Sequence, residues 1–477
     1  MKALLKRIAV IVVALLVVIG TAAGLYVRSL VKSVPQLMLR NGALKAQGYY
    51  MGEFEFKMLS VIQYMNTGRY LQAVFTLHQI SQELKTTRGL VKLPAKASAE
   101  QQLDSMLALQ DPVTGAFMDH RYPYFTYWPP TANMVVELSR LANQAGRPLV
   151  LKYPLRFLDD IRTPEQLRAY LDSLLYLDER WAGMGKPPYV AGVSELAYFD
   201  DFEDRGVYQF SAEWKDELRR WFTETQDPTT GFWGARIGRP GDWRQDLDIG
   251  STFHVLHLFV DEEGHDRDPR YPLRNVSALL QTTMKRLEAP FPTDPVEQHD
   301  WCLWRDQGPK MIVRLWPHLS DAEKEEARDV MRTQLVLTYQ EFFRPDEGAF
   351  SLYSKAPADL DGLGSALSFL EVSGSFPGTR EQSLIWGERA SAVRDLGERR
   401  LAQWADATLP EMAGANSIRV YSTGFPASGA SLGELQPVSI FYPNGAQVLD
   451  LIDLRGRVAQ YLAKSPQVYG NWTGRDS

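Results

Sequence analysis

Apolar residues return at helical spacing along most of the chain, while strand-like alternation is confined to short pieces such as Ser417-Ile418-Arg419-Val420-Tyr421. Between Val34 and Lys85 the pattern predicts two amphipathic helices joined near Asn66-Thr67-Gly68. Leu59, Ile62 and Met65, then Leu71, Val74, Phe75, Leu77 and Ile80, are expected to pack on the rest of the molecule. After Pro94 the helices carry start signals. Ser98-Ala99-Glu100-Gln101, Thr163-Pro164-Glu165-Gln166 and Ser320-Asp321-Ala322-Glu323 are capping boxes, and Ser211 is an N-cap for a helix to Thr225. Further helical patterns cover Leu273 to Leu287, Trp301 to Trp316 and Thr379 to Trp404. Glycine, proline and serine then cluster from Tyr421 to Asn444 as a loop, and Ala446 to Lys464 reads as a last helix.

One turn recurs. A helix ending in Gln226 runs through Asp227-Pro228-Thr229-Thr230-Gly231 to Phe232-Trp233; Gln110 to Phe117 (QDPVTGAF) and Arg344 to Phe350 (RPDEGAF) repeat the theme. Gly115, Gly231 and Gly348 are spaced 116 and 117 residues apart, which marks a repeat of about four helices, or two hairpins, per unit. The second and third turns lead to Asp-Leu-Asp at 246–248 and 359–361, each followed by a small-residue helix.

The order aromatic, apolar, three residues, Gln, a few residues, Gly, any residue, aromatic is carried by Trp221-Phe222, Gln226, Gly231 and Trp233. It resembles the repeat that staples the helical hairpins of terpenoid cyclases and of protein prenyltransferase β-subunits, over roughly Ser98 to Trp404. The resemblance implies an all-α fold, an α/α toroid of about six hairpins whose inner helices line a central cavity. The chemistry of those families is carried only in part. Asp246-Leu247-Asp248-Ile249 lacks the last aspartate of the cyclase acid motif. Asp300-Trp301-Cys302 resembles the prenyltransferase zinc pair, but Asp359-Leu360-Asp361-Gly362 offers no histidine where the third ligand is expected. No metal or other cofactor is therefore expected.

The ends set the location. Lys2, Lys6 and Arg7 precede an uncharged run from Ile8 to Val27, about the ~20 residues a helix needs to cross a bilayer. Positive charge on the short leading side orients residues 1–29 as a signal anchor with a cytoplasmic N-terminus and an extracytoplasmic, periplasmic body. A cleaved signal peptide ending near Thr21-Ala22-Ala23 is the rival reading. The remaining chain divides into a helical extension (30–95), the toroid (96–405) and a C-terminal loop and helix that complete or cap it (406–477). A net charge of −6 gives no footprint for nucleic acid, and the single cysteine, Cys302, excludes an internal disulfide framework.

Sugar rings stack on aromatic faces and pair their hydroxyls with carboxylates, so a glycan cleft needs both residue types together. The segments after the repeat turns supply them. The candidate catalytic residues are Asp246, Asp248, His120, Tyr124 and Asp300, and the candidate substrate-binding residues are Tyr127, Trp128, Trp243, Arg244, Trp301 and Trp304. Paired carboxylates suit glycoside hydrolysis. A tyrosine or histidine beside an arginine suits proton abstraction next to a uronate carboxyl, as in a lyase or epimerase. Against these stand structural readings: helix caps for Asp246 and Asp248, packing for Trp301, Trp304 and Trp316, core or rim positions for His254 and His257, and a solvated acidic loop for Asp200-Asp201-Phe202-Glu203-Asp204. The sequence thus points to a membrane-anchored enzyme acting on an envelope or exported polysaccharide. A non-catalytic envelope scaffold or glycan-binding protein and a cyclase-like enzyme on an isoprenoid are the alternatives.

Overall fold

The computed structural model describes residues 25, 26, 28–30, 32–92, 98–182, 187–292, 295–344, 349–358, 360–374, 380–386, 419–422, 438–441 and 447–451. The chain is mostly helical, at 62%, with few strands, which bears out the all-α class. The expected span from Ile8 to Val27 lies, apart from Leu25 and Tyr26, outside the described residues. Among those residues no helix is long and apolar enough to cross a membrane.

The N-terminal region forms three helices rather than the expected two: α1 (Val34–Ala46), α2 (Phe54–Asn66) and α3 (Tyr70–Thr86). Leu37, Leu44, Phe54, Val61, Tyr64, Leu77, Ile80 and Leu84 close a small core of their own, and Leu59 and Ile62 on the other side of α2 join the main one. Leu71 and Phe75, expected to be packed, are instead 76% and 69% exposed. They stand on the side of α3 opposite Ala73, Leu77, Ile80 and Leu84, which fill its buried stripe.

All three capping boxes form, at Ser98, Thr163 and Ser320, and Ser211 caps its helix through Trp214 N–H. They start α4 (Ala99–Leu107), α6 (Pro164–Leu174), α14 (Asp321–Leu337) and α10 (Ala212–Thr225). Between them lie α5 (Trp128–Gln144), the short α7 (Glu179–Ala182), α8 (Pro188–Gly192) and α9 (Asp200–Asp204), then α11 (Ile249–Phe259), α12 (Val276–Leu287) and α13 (Pro295–Leu315). The helices α15 (Leu360–Val372) and α16 (Arg380–Trp386) follow. α5, a 3-10 turn at Ser194–Tyr198, α11, α13 and α15 touch in succession, and α4, α10, α12 and α14 lie against this row. α11 separates two cores. Ile249, Phe253, Leu256 and Val260 just beyond it face the core built by α12 to α16, while Val255, Leu258 and Phe259 face the one built by α5 to α10.

The repeat turn is reproduced atom for atom in its first two copies. Gln110 Nε2 donates to Gly115 O and Tyr153 O, both at 2.7 Å, and Gln226 Nε2 donates to Gly231 O and Arg274 O, both at 2.9 Å. Asp111 and Asp227 each accept from the next turn's amides through Oδ1, and Thr131 and Thr252 each accept the amide of the closing aromatic residue. Gly115 and Gly231 both have φ of 76°. A Cβ on either would sit 1.9 Å from Pro154 O or 2.5 Å from Leu279 N, so glycine is required for backbone angle and for space alike. In the third copy, where Phe343 stands in place of glutamine, a two-residue ladder closes the turn: β4 (Phe343–Arg344) pairs with β5 (Ala349–Phe350). Gly348 and Asp359 lie outside the described residues.

Two expectations on strands are corrected. Tyr176–Asp178 (β1), Arg236–Arg239 (β2) and Asp242–Gln245 (β3) form a sheet in which β1 runs parallel and β3 antiparallel to β2. Gln447–Leu451, read as the start of a helix, is instead a strand (β8) on Val438–Phe441 (β7), which in turn pairs with Arg419–Ser422 (β6). The run Gln447-Val448-Leu449 is too short to distinguish helix from strand by periodicity, and partner strands decide it.

Candidate functional site

The Asp-Leu-Asp stretch that follows the second repeat turn divides its labour. Asp248 is 7% exposed and is the N-cap of α11, accepting from Ser251 N at 2.5 Å. Its carboxylate satisfies a helix-start amide, so its expected catalytic role gives way to capping. Asp246 is half-buried, and its amide donates to Ala235 O at 2.8 Å, tying the end of β3 back to the strand before it.

The other expected residues scatter. His120 is at the surface. Its Nδ1 lies 2.8 Å from Asp111 Oδ2, so it braces the first repeat turn. The hydrogen bond it gives to the Asp111 carboxylate is the main cause raising its pKa. Asp111, Asp119 and His120 lie close enough to share an ion, yet Asp111 is held by turn amides and His120, and Asp119 by Arg121. Tyr124 is buried edge-on against Tyr170, ring centroids 5.0 Å apart, and its hydroxyl has no hydrogen-bond partner among the described residues. Burial pushes its pKa well up. Such a phenol is a core residue, not an accessible acid or base.

Tyr127 donates to His120 O and Tyr122 O, and burial raises it to about 12. Trp128 donates to Glu195 O at 2.9 Å. Trp301 stacks on Phe342 at 5.7 Å and Trp304 on Phe232 at 5.5 Å. All four rings are less than a tenth exposed, so they present no face to a sugar; Trp301 and Trp304 are packed as their structural reading has it, and Tyr127 and Trp128 are packed as well. Asp300 lies on α13, but its side chain is outside what is described. Among the expected substrate-binding residues, Trp243 and Arg244 keep the exposure that role requires.

Trp243 stands on β3, ring centroid 4.8 Å from Tyr176 on β1. The register places Tyr176 beside Arg236 and Asp178 beside Gly238 and Trp243. Residues paired across strands share a face, so Tyr176, Arg236 and Trp243 form one outer surface. The Arg236 guanidinium lies 5.9 Å over the Tyr176 ring and donates to its hydroxyl at 3.3 Å. Gly238 permits this close ribbon, for a Cβ there would meet Asp242 O at 2.1 Å. Asn66 clamps β1 from α2 by bonding Tyr176 O and Asp178 N. Tyr176 is far from Trp243 in sequence, and only the parallel pairing of β1 with β2 brings it to the hairpin that carries Arg236 and Trp243.

A second cluster forms around α11. His254 and His257 lie three residues apart, hence on one face, and are the helix's only ring nitrogens between its two apolar flanks. His254 Nδ1 is 3.2 Å from Glu195 Oε1, and His257 Nε2 is 3.0 Å from Asp200 Oδ2. Tyr198 sits between them, stacked on His257 at 4.6 Å and edge-on to His254 at 5.3 Å. Arg267 approaches from the turn after α11, 3.4 Å from His257 Nδ1 and 3.7 Å from Asp200. That turn is seated by Gly264, whose missing Cβ would meet Arg314 O at 2.2 Å. Burial alone would raise the Asp200 carboxyl, but the bond from His257 and the charges of His257 and Arg267 outweigh it and hold the pKa below the usual value. The side chains of His254 and His257 remain 18% and 17% exposed, enough for solvent to reach them. The Asp200 carboxylate fixes the tautomer and orientation of His257, and Glu195 lies at ion-pair distance from His254, so both imidazoles have a carboxylate beside them, as directed proton transfer needs.

The acidic string at 200–204 is therefore no loop. It is α9, and its carboxylates pair individually: Asp200 with His257, Asp201 with Arg205, Glu203 with Lys215. Sequence periodicity marked the two histidines as sharing a face, but nothing local linked them to Glu195, Tyr198 and Asp200. Comparison of the chain with protein-family models, with curated proteins and with solved structures finds no match in any of the three.

Proposed function

We propose that this chain is a membrane-anchored, extracytoplasmic enzyme of α/α-toroid type that modifies an acidic polysaccharide by proton abstraction, as a lyase or epimerase does. The single observation that carries this reading is the buried Tyr198 set between two histidines that each lie beside a carboxylate, with Arg267 alongside and the histidine and arginine side chains part-exposed. A proton on the carbon next to a uronate carboxyl becomes removable when a cation carries the charge that develops on that carboxyl. In this reading His254 is the base and Arg267 the neutralising cation, with His257 and Asp200 holding Arg267 in place. Loss of the oxygen substituent on the neighbouring carbon, which takes a proton from the His254 imidazolium or from water as its bond to carbon breaks, then leaves a double bond, while reprotonation by water on the other face inverts the centre. The toroid itself is supported by two rows of helices in contact and by two identical stapled turns one repeat apart. The anchor rests on the apolar run Ile8 to Val27 and the basic residues before it.

A second reading, a glycan-binding protein without catalysis, is favoured by a separate observation: the exposed Tyr176–Trp243 pair beside Arg236 offers a stacking face and a cation. The two are separated by incubating the full chain in lipid nanodiscs with neutral and uronate polysaccharides and following unsaturated ends, proton exchange from solvent and binding. Product or exchange on uronates that disappears in a folded His254→Ala variant supports the enzyme. Binding without either, weakened by Trp243→Ala and unchanged by His254→Ala, replaces it with the binding protein.

A further inference from the structure

The exposed side of α3 is the largest departure from the expected packing, and its place in the chain indicates what covers it. Leu71, Phe75 and His78 follow one another at helical spacing along that side, with Leu71 and Phe75 more exposed than any other large apolar residue described. Tyr26 and Leu25, the last described residues of the apolar N-terminal run, are themselves 46% and 63% exposed. The Tyr26 hydroxyl hydrogen-bonds His78 Nδ1, and the rings meet edge-on at 5.9 Å. The point where the apolar run joins the folded body is thus fastened to the same side of α3 that leaves Leu71 and Phe75 uncovered.

Charge on this side is one-signed. The only acid on α3 is Glu83, whose carboxylate is taken by Lys57 at 3.1 Å. Arg69, Lys85 and Arg88 are exposed at the ends of α3, and Arg28 and Lys32 at the end of the apolar run. A helix with leucine and phenylalanine on one side, aromatic hydroxyls at its rim and cations around it has the make-up of an element lying in the headgroup region of an anionic bilayer. We infer that α3 docks flat on the membrane surface, with Leu71 and Phe75 inserted and Tyr26 at the interface, so that the catalytic body is held against the bilayer rather than swinging on a tether. This rests on the anchor reading and adds a second, independent contact to it.

The test uses the full chain in nanodiscs of mixed neutral and anionic lipid, with Cys302→Ser as background and one nitroxide-labelled cysteine at a time. Leu71→Cys and Phe75→Cys probe the docking surface; Val113→Cys, 55% exposed on the first repeat turn, is the water-facing control. Docking predicts that oxygen collides with the label at 71 and 75 several-fold more effectively than a water-soluble nickel chelate, with the order reversed at 113. Nickel dominance at all three sites overturns it, as does exclusion of both reagents from 71 and 75, which would mean that protein covers them. Flotation of the unlabelled chain with vesicles reads the anchor separately. A chain that floats but shows nickel dominance has lost only the docking; a chain that does not float has lost both.

Discussion

Gln226 bonds the carbonyl of Arg274, 48 residues later in the chain, at 2.9 Å, and its Oε1 accepts from Asn275 at 3.2 Å. One carboxamide thus closes its own turn and ties it to the start of α12. Gln110 does the same for Tyr153, giving to the carbonyl and taking from the amide at 2.9 Å.

Removing the staple strands buried carbonyls. Gln226→Ala should lower unfolding free energy by about 2–4 kcal/mol, since each buried group left unsatisfied costs about 1–3 kcal/mol. Gly231→Ala should be at least as harmful, because φ is positive and Leu279 N is 2.5 Å from the added carbon. Denaturant midpoints of the two variants and of Gln110→Ala check this. A change below about 0.5 kcal/mol in all three would contradict the stapling account.

Asp248 and Asp246 should separate. Asp248→Ala loses the bond to Ser251 N and should cost about 1 kcal/mol of stability, with Asp248→Asn retaining most of it. Asp246→Asn leaves the amide bond to Ala235 in place, and no helix cap is lost there. If Asp248→Asn abolishes a measured activity at unchanged stability, the capping role is not its whole function.

His120 should titrate above about 6.5, the ordinary histidine value, because Asp111 bonds its ring. The sign follows from the raised pKa. The pair's contribution is fully present below the unfolded value and is lost as pH rises through the folded one. NMR titration of the ring protons should show the midpoint fall toward the ordinary value in Asp111→Asn. An unchanged midpoint would refute the pairing.

Tyr124→Phe deletes a buried hydroxyl that has no partner among the described residues. Its stability should be equal to the parent's or up to about 1 kcal/mol higher, because nothing is stranded when the oxygen leaves. Any measured activity should be unchanged. A large loss of activity with an intact fold would restore Tyr124 to a chemical role.

Much of the fold was legible because its signals are local. A serine or threonine with glutamine or glutamate three residues later, placed just before an apolar helical pattern, marks a helix start, and all three boxes form. Gly115 and Gly231 were legible as turn points because a positive φ leaves few other residues. The site was legible in part. Trp243 and Arg244 were found by composition near the repeat turn, and the histidines of α11 by helical spacing, though both histidines were read as packing.

What only the tertiary structure decided are relations between distant segments. The pattern makes Leu71 and Phe75 apolar at helical spacing, but which stripe of α3 faces the protein depends on where α1 and α2 lie. Trp128, Trp301 and Trp304 are aromatic beside polar residues whether they stack on a ligand or on Phe202, Phe342 and Phe232; the neighbours settle it. Tyr198 meets His254 and His257 because the turn at Ser194–Tyr198 lies on α11, a contact across more than fifty residues. The sequence by itself determined helix class, helix starts and the turns from Gln110 to Gly115 and Gln226 to Gly231, since each is fixed by bonds within a few residues of the chain, whereas the second bond of each glutamine, to Tyr153 or Arg274, needed the fold. Burial, pairing and the assembly of a site depend on packing between elements, and no local pattern carries that information.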